Sequence, residues 1–132
     1  MSIDSPGIVA YYTLVGVGAR DEVEPGHSGY AHLFEHMMFN ETESLPWGEF
    51  DRKMEAAGGE TNAATWIDWT YYYESLPKEE VGLAVELEAD RMATLRIDET
   101  TFEAERQVVK EERRWRYEDS PFGLLSEILY DK

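Results

Sequence analysis

Tyr30-Ala31-His32-Leu33-Phe34-Glu35-His36-Met37-Met38-Phe39 is the segment from which we interpret the rest of this 132-residue chain. Its pattern predicts a helix. A helix turns by about 100° per residue, so His32, Glu35 and His36 fall within an arc of roughly 100°. Apolar side chains cover the rest of the circumference: Leu33, Phe34, Met37 and Met38. Three ionisable side chains therefore share one face of a mostly apolar helix.

The spacing of the two histidines suits a metal ion. Imidazoles at i and i+4 present ring nitrogens to a common point, as tetrahedral zinc requires, and Glu35 lies close enough to accept a proton from water. The order HxxEH is the inverse of HExxH and is typical of zinc peptidases. The alternative is a solvated helix that happens to carry two histidines. The apolar neighbours argue against it, because buried ionisable groups are costly without a partner.

Size and composition limit the classes of protein that the chain can belong to. It is long enough for one compact domain, which we predict to span residues 1–132, and too short for two. Its net charge of -16 argues against nucleic acid and anionic membrane as partners, and the sequence contains no cysteine. An acidic surface favours basic peptides and is equally typical of a salt-adapted host.

The sequence leaves the compartment open. No apolar run reaches the length of a membrane span, and Met1-Ser2-Ile3-Asp4-Ser5-Pro6 is not a signal peptide. We therefore expect a soluble protein, either periplasmic or cytoplasmic.

Strand signals surround the histidine helix. The β-branched and aromatic run over 7–17 predicts a buried central strand. Glu60 to Trp66 and Trp69 to Leu76 predict a hairpin, in which the small, polar first strand lies at an edge and the bulky second strand lies further in. An edge strand with unpaired backbone groups either threatens aggregation or serves as a docking site for an extended peptide.

Helix signals complete the prediction. We expect Ser28 to cap the histidine helix, which runs to about Asn40. Four further helices are predicted over 47–57, 77–96, 98–117 and 122–130, the third of them capped by Asp98. The fold class is α+β, with an antiparallel-dominated sheet packed against helices.

The helix that begins at Asp98 carries the candidate third ligand. Glu105 and Glu112 are seven residues apart, so they share one face of the helix. The same face carries Phe102, Val108 and Val109, whereas the solvent-exposed face carries Glu103, Lys110 and Arg114. Two carboxylates on an apolar face need a cation or a proton to offset their desolvation. We assign Glu112 as a zinc ligand and Glu105 as a carboxylate that orients a ligand imidazole or holds the substrate end. The alternative is a charged helix laced with Glu–Arg pairs.

These motifs together resemble the pitrilysin, or insulinase, family of zinc metallopeptidases, which includes the mitochondrial processing peptidases. Four segments carry the resemblance, and similarity runs over nearly the whole chain. They are Gly29 to Phe39, Glu55 to Gly59, Asn62 to Thr65 with Thr70 to Tyr73, and Glu105 to Glu112.

The resemblance implies a zinc-dependent metalloendopeptidase. It implies one zinc ion per chain, bound by His32, His36 and Glu112, with Glu35 as general base. It also implies that Asn62 and Ala63, which we extend to Ala64, lie on an edge strand that pairs with an extended peptide or unfolded protein.

The chain departs from the family pattern in size, since family members resemble a clamshell of paired domains that closes over the substrate. We expect either a fragment or a small protein whose cleft is completed by self-association or by a partner domain. A rival hypothesis is a zinc-binding interaction module that is catalytically incomplete, and a third is an acidic helical domain without metal. Whether the chain is active alone stays open.

Overall fold

The structure is a computed structural model that describes residues 7–130, apart from the side chains of residues 127 and 130. It divides into two compact units, Met1–Ile97 and Asp98–Lys132, which are described in turn. The single domain over 1–132 stays a prediction. No helix among the described residues is long and apolar enough to cross a membrane.

The described residues of the first unit form a three-stranded antiparallel sheet and three α-helices. Its elements are β1 (Ile8–Val15), α1 (Tyr30–Met37), α2 (Glu49–Ala56), β2 (Glu60–Thr65), β3 (Thr70–Pro77) and α3 (Val81–Thr94). The strand order is β1-β3-β2, and Tyr72 of β3 lies opposite both Thr13 and Ala63. The α+β prediction is confirmed, as are the β2–β3 hairpin, the edge position of β2 and the inner position of β3.

The prediction of a buried central strand over 7–17 is wrong for the sheet of this chain. β1 lies at an edge and its side chains alternate in exposure, with Ile8 56% and Leu14 71% exposed. Their neighbours Val9 and Tyr11 pack against the core. β-branched and aromatic residues favour a strand, but their composition does not say whether one face or both are covered.

The core lies between the helices and the inner face of the sheet. Side chains from α2, β3 and α3 form it: Phe50, Met54, Leu76, Ala84 and Leu87. Burial of each large side chain is worth about 1.5–3 kcal/mol. The predicted helix over 77–96 begins after Pro77, because Pro77 is the last residue of β3 and pairs with Ile8. A 3-10 helix over Lys78–Glu80 leads into α3 at Val81.

A buried ionic cluster crosses this core. Glu74, Glu88 and Arg91 are at most 3% exposed, and Arg91 Nη2 donates to Glu74 Oε1 at 3.1 Å and pairs with Glu88. The guanidinium stacks over three rings, those of Phe39, Phe50 and Tyr72. Burial, together with the hydrogen bond and the charge of Glu88, raises the pKa of Glu74 to about 8. One arginine can balance the charge of only one carboxylate, so the pair of Glu74 and Glu88 retains a proton at neutral pH.

The start of α1 corrects the prediction that Ser28 caps this helix. Gly29 occupies the N-cap position with φ +91°, a conformation that favours glycine. Glu22 supplies the cap from outside the helix, since its carboxylate accepts from the backbone N–H of Gly29 at 2.7 Å and of Ala31 at 2.8 Å. The helix ends at Met37 rather than near Asn40.

The second unit is helical. It contains α4 (Glu99–Arg113), a π-helical turn (Arg114–Glu118) and α5 (Pro121–Tyr130). The predicted cap is confirmed, because the Asp98 carboxylate accepts from the N–H of Thr100 at 2.8 Å and of Thr101 at 2.9 Å. Two helices were predicted in this region, and two form.

Candidate metal centre

The two histidines of α1 lie side by side, as the i, i+4 spacing predicts. The ring centroids of His32 and His36 are 4.8 Å apart and their planes are nearly perpendicular, at 87°. Both side chains are half-buried. Two imidazoles with this separation can direct a nitrogen each toward one ion.

Glu35 directly precedes His36 in α1, and its side chain is largely buried, with 9% of its surface exposed. Its Oε2 accepts a hydrogen bond of 2.5 Å from the Thr65 hydroxyl at the end of β2. Thr65 was not among the residues predicted for the site. It lies 30 residues from Glu35, so no local sequence pattern could reveal the contact.

The glutamates of α4 divide into two faces within the second unit. Glu105 and Glu112 are half-buried, whereas Glu103, Lys110 and Arg114 are exposed, as predicted. Val108, which helical spacing places on the face of Glu105 and Glu112, is 47% exposed. Three and four residues separate Val108 from Glu105 and Glu112, so these side chains are neighbours on the helix, and solvent reaches the face at Val108.

Glutamates of α4 form ion pairs with arginines on its exposed face and also at the half-buried Glu112. On the solvent-exposed face, Glu103 forms an ion pair with Arg106 at 2.9 Å, and Glu111 forms one with Arg114. Glu112 Oε2 lies 3.5 Å from Arg116 Nη2. The Glu–Arg pairs weighed from the sequence therefore exist, mainly on the exposed side of α4.

The chemistry of the donors fits zinc. His32, His36 and Glu112 are half-buried, and each offers one ligand atom, an imidazole nitrogen or a carboxylate oxygen. Two imidazoles and one carboxylate are a donor set that catalytic zinc sites use. His27 contacts other residues: its Nδ1 lies 3.1 Å from a carboxylate oxygen of Glu24, and its ring stacks on that of Tyr30.

The candidate substrate strand lies beside this helix. β2 pairs with β3 along one side, and no strand among residues 7–130 pairs with its other side. Asn62 is exposed, while Ala63 and Ala64 are half-buried. The Asn62 side-chain oxygen accepts from the backbone N–H of Ala63 at 2.8 Å. The amide therefore satisfies a donor at this edge.

An open cavity of about 900 Å³ lies on another face of α1. Tyr30, Phe34 and Met38 line it, and these residues stand roughly opposite the two imidazoles on the helix. His32, Glu35 and His36 are not among its lining residues. The apolar cavity and the candidate metal donors are therefore separate features of the helix.

The HxxEH order on α1 is the signature of the inverted-motif zinc peptidases. A model of the insulinase family, peptidase family M16, matches residues 6–131 of this sequence. The chain therefore belongs to the insulinase family of peptidases.

Named relatives agree with this assignment. The chain is 42% identical over 119 residues to the zinc protease PqqE of Helicobacter pylori, covering 90% of this chain and 27% of that protein. It is 32% identical over 121 residues to an uncharacterized zinc protease, YmxG, of Bacillus subtilis, covering 92% of this chain and 29% of that protein. The chain thus spans less than a third of the length of these relatives.

Solved structures show the same relation. A protease from Helicobacter pylori superposes with a TM-score of 0.87 at 42% identity, over 91% of this chain and 29% of that chain. The periplasmic protease PqqL from Escherichia coli superposes with a TM-score of 0.80 at 27% identity, over 92% of this chain and 14% of that chain. The neighbours are larger proteases, of which this chain corresponds to one part.

Proposed function

We propose that this chain carries the zinc site and the substrate-pairing strand of a metalloendopeptidase. The observation that carries the proposal is the arrangement on α1, where two imidazoles stand beside a buried carboxylate that Thr65 holds. Membership of a family whose named relatives are zinc proteases supports it.

In this proposal one zinc ion is held per chain by His32, His36 and Glu112, and Glu105 orients a ligand or the substrate end. When bound, zinc supplies a Lewis acid that acidifies water and polarises a peptide carbonyl. The half-buried state of the three donors supports their role, because partly desolvated imidazoles and carboxylates gain from a cation.

Glu35 is the proposed general base. Its carboxylate takes a proton from water and later delivers it to the leaving amine. Asn62, Ala63 and Ala64 hold an extended peptide by pairing with the free edge of β2, so that the scissile bond is held against the helix face that carries Glu35. The acidic surface, with a net charge of -16, favours basic peptides.

The test is Glu35→Gln, which keeps the shape of the side chain and removes its basicity. We expect zinc content, measured by elemental analysis, to stay at that of the wild type while cleavage of an unfolded basic peptide disappears. Glu55→Gln, at an exposed position of α2, is the matched control and should change neither. Retained cleavage in Glu35→Gln would refute the assignment of the base.

A second candidate is a zinc-binding module that hydrolyses peptides at a useful rate only with a further domain. The share of its relatives that the chain covers, 27% and 29%, favours considering it. Substrate orientation by an additional domain can be worth many orders of magnitude in rate. Cleavage is therefore measured with the chain alone and with the remaining part of a relative added, together with molar mass in solution. Zinc binding without cleavage by the chain alone would favour the module.

A further inference from the structure

Thr65 and Thr70 face each other across the end of the β2–β3 hairpin, next to Glu35. They are paired in register, and their hydroxyl oxygens are 3.2 Å apart. The Thr70 hydroxyl donates to the Val17 carbonyl at 3.0 Å. A hydroxyl has one hydrogen to donate, so Thr70 offers Thr65 an acceptor and no donor.

The hydrogen of Thr65 therefore has two acceptors within reach, Thr70 and Glu35. The Glu35 contact is shorter, 2.5 Å against 3.2 Å, and its acceptor is a carboxylate. Hydrogen bonds of hydroxyls to carboxylates have this length and are about twice as strong as neutral ones. Thr65 thus donates to Glu35 Oε2.

The backbone around Thr65 is held on both sides of the hairpin turn. Trp66 N–H donates to Trp69 O at 2.8 Å, and the Trp66 carbonyl accepts from Ala19 N–H at 2.9 Å. Arg20 N–H donates to Ile67 O at 2.8 Å, and the Arg20 side chain pairs with Asp68 at 2.6 Å. A donor on such a fixed turn holds its acceptor in one orientation.

We propose that Thr65 is a positioning residue for Glu35. It fixes Oε2, so that Oε1 faces the reacting water, and it links the base to the strand that pairs with substrate. This inference rests on the proposed function, because it takes Glu35 as the general base. Thr65 itself transfers no proton to substrate.

The test compares Thr65→Val, which replaces the hydroxyl by a methyl of similar size, with Thr65→Ser, which restores a hydroxyl. Thr61→Val is the matched control, since Thr61 lies on the same face of β2 and its buried hydroxyl has no hydrogen-bond partner among the described residues. Thermal unfolding and zinc content of each variant show that the fold and the metal site are retained.

Two measurements decide the outcome. In the full chain, with the remaining part of a relative if cleavage requires it, Thr65→Val should lower kcat by about 10- to 100-fold with KM within about twofold. Thr65→Ser should recover most of the loss, and Thr61→Val should show none. Unchanged kcat in Thr65→Val, or a loss that appears in KM alone, overturns the proposal, as does a Thr65→Ser variant as slow as Thr65→Val.

The second measurement does not need activity. The ¹³C resonance of the Glu35 carboxylate, assigned by its disappearance in Glu35→Gln, should move in Thr65→Val and stay near its wild-type position in Thr65→Ser and Thr61→Val. If the wild type cleaves nothing even with the remaining part of a relative added, the proposed function fails, and this resonance still tests the contact. A resonance that does not move in Thr65→Val overturns the positioning role.

Discussion

Glu74 shows how this protein accommodates an acid that has no contact with water. The side chain is fully buried beside Glu88 and Arg91, and its pKa is raised to about 8. In the unfolded chain the same group has its ordinary pKa of 4.5. Between these values the folded protein binds a proton that the unfolded chain releases, so stability falls as pH rises.

We expect the thermal midpoint of the wild type to fall by at least about 5 °C between about pH 5 and pH 8, since one pKa unit is worth about 1.4 kcal/mol. Glu74→Gln mimics the protonated acid and should flatten this dependence. Glu60→Gln, an exposed position of β2, is the control and should keep it. The comparison requires calorimetry at the two pH values, and equal slopes in the wild type and Glu74→Gln would contradict the role of Glu74.

The sequence predicted those site residues that are close to one another along the chain. His32, Glu35 and His36 share a face because helical periodicity links residues three and four apart. The capping of α1 by Glu22 and the contact of Thr65 with Glu35 join residues 9 and 30 positions apart, through loops and sheet pairing that no short pattern encodes. The Glu74–Glu88–Arg91 cluster escaped prediction for the same reason.

In the first unit, one loop approaches the turn between β2 and β3 so closely that it requires a glycine. A Cβ on Gly18 would lie 2.4 Å from the Trp66 carbonyl oxygen and 2.6 Å from that of Ile67. These are backbone atoms, so they cannot move aside as a flexible side chain can. Gly18 is therefore required for the hydrogen bonds that Ala19 and Arg20 make to the turn.

We expect Gly18→Ala to destabilise the protein by about 1–3 kcal/mol, as other steric insertions do. Gly16→Ala is the matched control, because a Cβ there meets no atom within 4 Å. Chemical denaturation measures both free energies of unfolding. A Gly18→Ala variant as stable as Gly16→Ala would show that the turn does not depend on this approach.

The β2–β3 hairpin was predictable from the sequence, whereas the position of β1 at an edge of the sheet was not. Small residues in β2 and bulky residues in β3 indicated which strand lies at the edge of the sheet. Bulky side chains gain most in a strand that has neighbouring strands on both of its edges, because they pack against the side chains of those neighbours. The composition of β1 gave no such guide. Its Ile8, Tyr12 and Leu14 favour a strand wherever it pairs, and in this sheet they are exposed.

At the scale of the whole molecule, the proposed metal ligands are spread along the sequence. His32 and His36 belong to the first unit and Glu112 to the second. A ligand that binds the folded state stabilises it by about 2.7 kcal/mol at a free concentration of 100 times its Kd. In the proposed function zinc binds the folded chain, so it should raise the free energy of unfolding.

We expect zinc to raise the thermal midpoint of the wild type and to lose this effect in Glu112→Ala. Glu105→Ala should weaken zinc binding by about 10- to 100-fold, as loss of a residue that orients a ligand does. Glu111→Ala removes the adjacent, exposed glutamate and should behave as the wild type. Competition with a chromogenic chelator measures the affinities, and equal affinities of Glu112→Ala and Glu111→Ala would exclude Glu112 as a ligand.

The hydrogen bond between Asn62 and Ala63 bears on selectivity. A peptide that pairs with Ala63 must first displace the Asn62 amide, so at this position it exchanges one bond for another. Such an exchange contributes little net free energy. If β2 pairs with substrate as proposed, its backbone attracts any extended peptide less strongly, and the side chains of the peptide decide which sequences bind.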